Sequence, residues 1–186
     1  METNTMDRKT TDIKKSEKKM LVGMFNDRES AERSYNELSK RGYSQSEINL
    51  IMSEDTRKKH FSDADDHSKI GNKAKEGAET GTIIGGVVGT AVGIIAAIGT
   101  SLVLPGLGLI IAGPIVAGLA GAGAGVITGG LIGALVGAGI PEDKAKLYEK
   151  GVKDGRIVMG VHPRNDEDAA LFENDWRNNK AEEIHR

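Results

Sequence analysis

Hydrophobic and polar positions divide this chain of 186 residues into three stretches. From Thr80 to Pro141 there is no Asp, Glu, Lys, Arg or His, whereas charged side chains crowd both flanks. An uncharged run of 62 residues is too long for one bilayer span of about 20 residues and fits two spans joined by a turn. The break falls at Leu104-Pro105-Gly106-Leu107-Gly108, where Pro and Gly end helices and favour turning. Pro105, Gly106 and Gly108 are therefore the expected hairpin turn, and Pro114 starts or kinks the second helix. The pattern predicts one span over 79–103 and another over 109–139, each able to cross a core of about 30 Å.

Spacing sharpens this reading. Small residues recur every fourth position at Gly77, Gly81, Gly85, Gly89, Gly93, Ala97 and Ser101, and again at Gly113, Ala117, Gly121, Gly125, Gly129, Gly133 and Gly137. Such small-xxx-small ladders let helix backbones approach closely and pack through van der Waals and Cα–H···O contacts. Glycine costs a water-exposed helix about 1 kcal/mol each relative to alanine. In hydrocarbon, helix is enforced because an unpaired backbone group costs several kcal/mol. A strict period of four drifts about 40° per step around an α-helix. One straight neighbour cannot cover the whole stripe, which favours an oligomer over a lone hairpin.

The flanks carry alternating strand and helix signals. Residues 1–17 are polar and read as a disordered tail; with no apolar run near Met1, no cleavable signal peptide is expected. Met20–Phe25 reads as a strand. Asn26 or Asp27 then caps a helix with Ala31, Tyr35 and Leu38 on one face and Gly42 as its stop. Ile48–Met52 is a second strand, followed by a charged linker over 54–78. After the hairpin, Pro141 and two acids open a helix with Ala145, Leu147, Tyr148 and Val152 as apolar positions and Gly151 and Gly155 marking its end. Arg156–Val161 is a third strand, and Asn165 or Asp166 caps a helix bearing Ala169, Ala170, Leu171, Phe172 and Trp176. Ala181–His185 offers a short fourth strand. Neither half buries much alone, since two-stranded units are marginal in water. The expected architecture is therefore α+β. A first βαβ half (18–53) and a second αβα(β) half (141–186) form a split ferredoxin-like domain, interrupted by the glycine-zipper hairpin of 79–140.

Several of these segments resemble bacterial general stress protein 17M-like (heat-induced stress) proteins. The resemblance rests on Lys19-Met-Leu-Val-Gly-Met-Phe-Asn26, a helix ending at Gly42-Tyr43, the central zipper, and the Ile140-Pro-Glu-x-x-Ala-x-x-Tyr-x-x-Gly151 pattern. It covers residues 18–185 and implies a stress-associated bacterial protein without enzymatic activity; it supplies no catalytic residues.

Charge adds orientation and little else. The net charge is −2, from 25 basic and 27 acidic residues, so no basic field points to nucleic acid. Lys69, Lys73 and Lys75 precede the first span, and Lys144, Lys146 and Lys150 follow the second. The positive-inside rule then puts both termini in the cytoplasm, most simply at a bacterial inner membrane. The absence of Cys removes thiolate chemistry. His60 and His67 flank Asp63, Asp65 and Asp66 without any metal-site spacing, and no phosphate-cradling or nucleophile motif is present. No catalytic, cofactor or metal residue is expected. The expected partners are the lipid bilayer, further copies of the chain, and a protein bound by the cytosolic domain. Two other readings fit the same block: a pore or membrane-perturbing protein, and a soluble scaffold with a helical zipper core. If the ladders carry assembly, Gly85→Leu combined with Gly129→Leu dissolves the oligomer while leaving insertion intact. An unchanged cross-linking ladder would refute the role of the zippers.

Overall fold

The computed structural model describes residues 19–61, 101–104, 108–116 and 124–186. Its elements in chain order are β1 (Leu21–Phe25), α1 (Arg28–Lys40), β2 (Ile48–Ser53), α2 (Glu54–Phe61), β3 (Ser101–Leu104), β4 (Leu109–Ala112), α3 (Ala124–Gly137), α4 (Glu142–Lys153), β5 (Ile157–Val161), α5 (Asp166–Asn178) and β6 (Glu182–His185). All six strands form one sheet in the order β3-β4-β2-β5-β1-β6, and every neighbouring pair is antiparallel.

The sheet is covered on both faces. Strand side chains alternate in direction, so Leu21, Phe25, Leu50 and Met159 meet Leu38, Phe172 and Trp176 of α1 and α5 on one face. On the other, Val22, Met24, Ile51 and Val158 meet Leu131 and Leu135 of α3 and Tyr148 and Val152 of α4. Both sets of strand residues are buried, which is why β1, β2 and β5 read as unbroken apolar runs rather than alternating ones. Gly23 on β1 clears the space for Trp176; a Cβ there would lie 2.8 Å from the indole Cε3. The Phe25 and Trp176 rings meet edge to face at 5.7 Å, a favoured aromatic geometry.

Local chemistry sets the helix starts. Asp27 caps α1 by accepting a hydrogen bond from Ser30 N at 2.7 Å, and that bond holds its carboxyl below the usual range. Asn165 caps α5 in the same way through Asp168 N. Residues 54–61, expected within a charged linker, instead form α2. Thr56 N donates to Ser53 Oγ at 3.1 Å, acids fill the first turn, and Phe61 is buried in the first core. Arg28 lies over the Phe61 ring at 4.9 Å and donates to the His60 carbonyl. One aromatic at the end of a polar segment is too little periodicity to announce a helix.

The larger corrections concern the glycine-rich stretch. Ser101–Leu104 and Leu109–Ala112, expected as the end of one spanning helix and the start of the next, are strands paired with each other, and β4 pairs with β2. The pairing satisfies their backbone groups without helix and buries Leu109, Ile110, Ile111 and Ala112 in protein rather than in lipid. In α3, Gly130 takes a non-helical conformation (φ 55°, ψ −145°) and breaks the helix. Among the described residues no helix is long and apolar enough to cross a membrane. Two smaller expectations also change. Leu147 and Leu171 point to solvent, and Gly151 lies inside α4, packed against Met24, rather than at its end.

Tyr148 ties α4 to the sheet. Its buried hydroxyl donates to the Glu183 carbonyl at 2.6 Å, anchoring β6, where Glu183 adopts φ 51°. Burial, and then the Glu183 charge, raise its pKa above the ordinary phenol value. The unfolded phenol loses its proton near pH 10 while the folded one keeps it, so the unfolded state then binds fewer protons. This contribution to stability is full below about pH 10 and declines as pH rises further. Urea unfolding of wild type from pH 9 to 11.5 therefore loses stability more steeply than Tyr148→Phe; parallel curves would refute the assignment.

Candidate functional site

The glycine-rich stretch joins the folded domain at the β2–β4 seam. β2 reads Ile-Asn-Leu-Ile-Met-Ser, one amide inside an apolar run. Its residues Leu50–Ser53 face Ala112–Leu109 in antiparallel register. The seam is closed at both ends. At one, Glu54 N donates to the Gly108 carbonyl at 2.7 Å, with Gly108 at φ 60°. At the other, Ile115 N donates to Asn49 Oδ1 at 2.8 Å.

Asn49 is 1% exposed. Its Nδ2 donates to the Gly160 carbonyl on β5 at 3.3 Å and touches Met20 Sδ at 3.5 Å. One buried amide thus links β5, β2 and the chain leaving β4. Between Ala112 and Ile115 the backbone turns at Gly113, φ 98°, a region that side chains disfavour. A Cβ at Gly113 would collide with the Ile48 carbonyl oxygen and lie 2.8 Å from Asn49 Cα. Glycine is required here for close backbone approach, not for packing one helix on another.

The expected zipper positions divide accordingly. Gly113 is a turn residue at the sheet edge. Gly125, Gly129 and Gly133 lie within α3, and Gly137 ends it with open space where a Cβ would stand. Gly77, Gly81, Gly85, Gly89, Gly93, Ala97, Ala117 and Gly121 lie outside the described residues. Of the expected turn, Gly108 does turn, but it leads into a strand; Pro105 and Gly106 lie outside the described residues. Sequence reasoning missed Asn49, although a lone polar residue within Ile48–Met52 was a usable signal, since a buried amide needs partners.

A second polar cluster joins the loops after α1 and β5. Tyr43 Oη donates to Asp168 Oδ2 at 2.7 Å and accepts from Arg164 N at 2.8 Å. The Arg164 guanidinium stacks 4.2 Å from the Tyr43 ring centroid and donates to the Gly42 carbonyl. Burial first, then the bond to Asp168, raises the Tyr43 pKa. These groups satisfy one another and fasten two loops. Among the described residues no three His, Asp or Glu side chains gather where a metal ion could be held; His67, Asp63, Asp65 and Asp66 lie outside those residues.

Compared with protein-family models, curated proteins and solved structures, the chain matches none. The seam therefore stands on its geometry, which makes Asn49 the residue to test. Asn49→Leu leaves the Ile115 N–H buried without an acceptor and costs about 1–3 kcal/mol in urea unfolding. Asn49→Asp keeps an acceptor but buries a charge, so its loss is larger at pH 7 and shrinks on acidification. Wild-type stability in both variants would refute the role.

Proposed function

We propose that this chain is a non-enzymatic, membrane-associated protein that self-assembles through glycine-zipper helices and presents a ferredoxin-like domain to the cytoplasm. The observation that carries the reading is the 62-residue uncharged block together with the two seven-residue ladders of small residues. Lipid or a dry interface between copies is the environment in which so glycine-rich a segment is stable as helix.

The domain supports this reading in two ways. Its strands β2-β5-β1-β6 stand in the order 2-3-1-4 of a βαββαβ chain, with β1 and β2 both antiparallel to β5 between them. The core helices α1 and α5 lie on one face. That order and that placement of helices support reading the domain as a ferredoxin-like sandwich. Second, β2 and β5, which precede and follow the glycine-rich block in sequence, pair in one sheet, so any excursion into a bilayer between them crosses it an even number of times. The resemblance to general stress protein 17M-like proteins supports a stress-associated bacterial role, and the lysines flanking the block support an inner-membrane site with both termini in the cytoplasm.

Pairing of β3–β4 with the sheet favours one competing reading, a soluble scaffold whose glycine-rich segments associate without lipid. Alkaline carbonate extraction of bacterial membranes separates the two. The full chain stays in the pellet if its zipper helices are integral, and moves to the supernatant if it is a soluble scaffold.

A further inference from the structure

We propose that β6 is exchanged between two copies of this chain, each lending Glu182–His185 to the β1 edge of the other. The contact lies wholly within the α+β domain and goes beyond the zipper reading, which it does not need.

The hinge before β6 carries the argument. Four helices end in the same turn, in which one residue donates to the carbonyl three back and the next residue to the carbonyl five back. The first of those two residues is left-handed, a position that glycine usually fills. It is Gly42 after α1, Gly139 after α3 and Gly155 after α4, at φ 79°, 90° and 91°. After α5 it is Lys180, at φ 60°, where a side chain crowds the following carbonyl. The Lys180 side chain is exposed, so packing does not ask for lysine there. Lysine and the alanine after it are strong helix formers, whereas glycine stops a helix. An opened hinge relieves Lys180 by letting α5 run on through Ala181, with helical bonds replacing the two bonds of the turn. A short strained hinge invites exchange of the element beyond it.

Topology and side-chain chemistry permit the exchange. β6 stands last in the strand order, so it leaves without threading past another strand, and β1 stays paired with β5. Its hold on the domain is particular to its own side chains. Glu182 accepts from Asn26 Nδ2 at 2.7 Å and from Arg156 Nη1 at 3.0 Å. Glu183 accepts from Lys144 Nζ at 2.8 Å, and its carbonyl from Tyr148 Oη at 2.6 Å. A second copy's β6 meets the same partners, so the slot beside β1 selects this strand over an arbitrary extended peptide. Closed and exchanged forms share these contacts and differ at residues 179–181.

Disulfide capture tests the exchange, because the chain has no cysteine of its own. Val22 and His185 are partners across β1 and β6, and Val22 is 1% exposed, so a copy that is merely adjacent does not reach it. Full-length copies bearing Val22→Cys and differently tagged copies bearing His185→Cys are expressed together and oxidised. A disulfide joining one copy of each kind is expected. Its absence, or links between His185→Cys copies alone, overturns the exchange. Lys180→Gly in both kinds of copy lowers the mixed link about fivefold or more, because the closed hinge is then unstrained; an unchanged yield overturns the role of the hinge. Wild type tested without cysteines guards against a misfolded variant. Isotope-labelled and unlabelled full-length chains are refolded together, and nuclear Overhauser contacts between Val22 of one and His185 of the other are expected; contacts confined to single copies overturn the proposal. Either outcome of the carbonate extraction leaves these expectations unchanged.

Discussion

The antiparallel ladder between β2 and β4 is the constraint on which the rest of this molecule turns. It takes four residues from the middle of an uncharged block and fixes them beside the charged domain that surrounds them in sequence. Once that pairing is made, Ile110 belongs to the core under α1 and α5, while Leu109, Ile111 and Ile115 belong to the opposite core under α3 and α4. Residues 109–112 and 115 of the glycine-rich stretch are thereby part of the hydrophobic interior.

The two edges of the sheet are built differently. β6 carries Glu182 and Glu183, a positive φ at Glu183 and a shift in register against β1. Charge and irregularity of this kind discourage further strand addition. β3 pairs with β4 in regular register through Ser101–Leu104 and has no charged residue. One end of the sheet is chemically closed, and the other is continuous with the apolar block.

Much of the domain was legible in the sequence for definite reasons. Asp27 and Asn165 are capping residues placed before helical apolar spacing, and Gly42 follows α1 at φ 79°. β1, β2 and β5 appeared as apolar runs because helices cover both of their faces. That same property concealed β3 and β4. A short apolar run bounded by Pro and Gly is equally a buried strand or a piece of a buried helix, and the four-residue spacing through Ser101 and Gly113 favoured helix. What decides is tertiary: β2 offers an open edge, Asn49 an acceptor for Ile115 N, and Gly113 the left-handed turn between them. Leu147 and Leu171 were misplaced for the converse reason, since a helix lying on a sheet leaves some of its apolar positions at the rim.

Everything above depends on residues 109–112 being a strand on β2 when no lipid is present. Isotope-edited nuclear Overhauser spectra of the full chain in aqueous buffer address this directly. Ile51 and Ile111 face each other across the pair, so cross-strand contacts between their backbone protons are predicted, with strand-like sequential contacts through Leu109–Ala112. Helical (i, i+3) contacts running from Leu109 past Gly113, with no contact between Ile51 and Ile111, would contradict it.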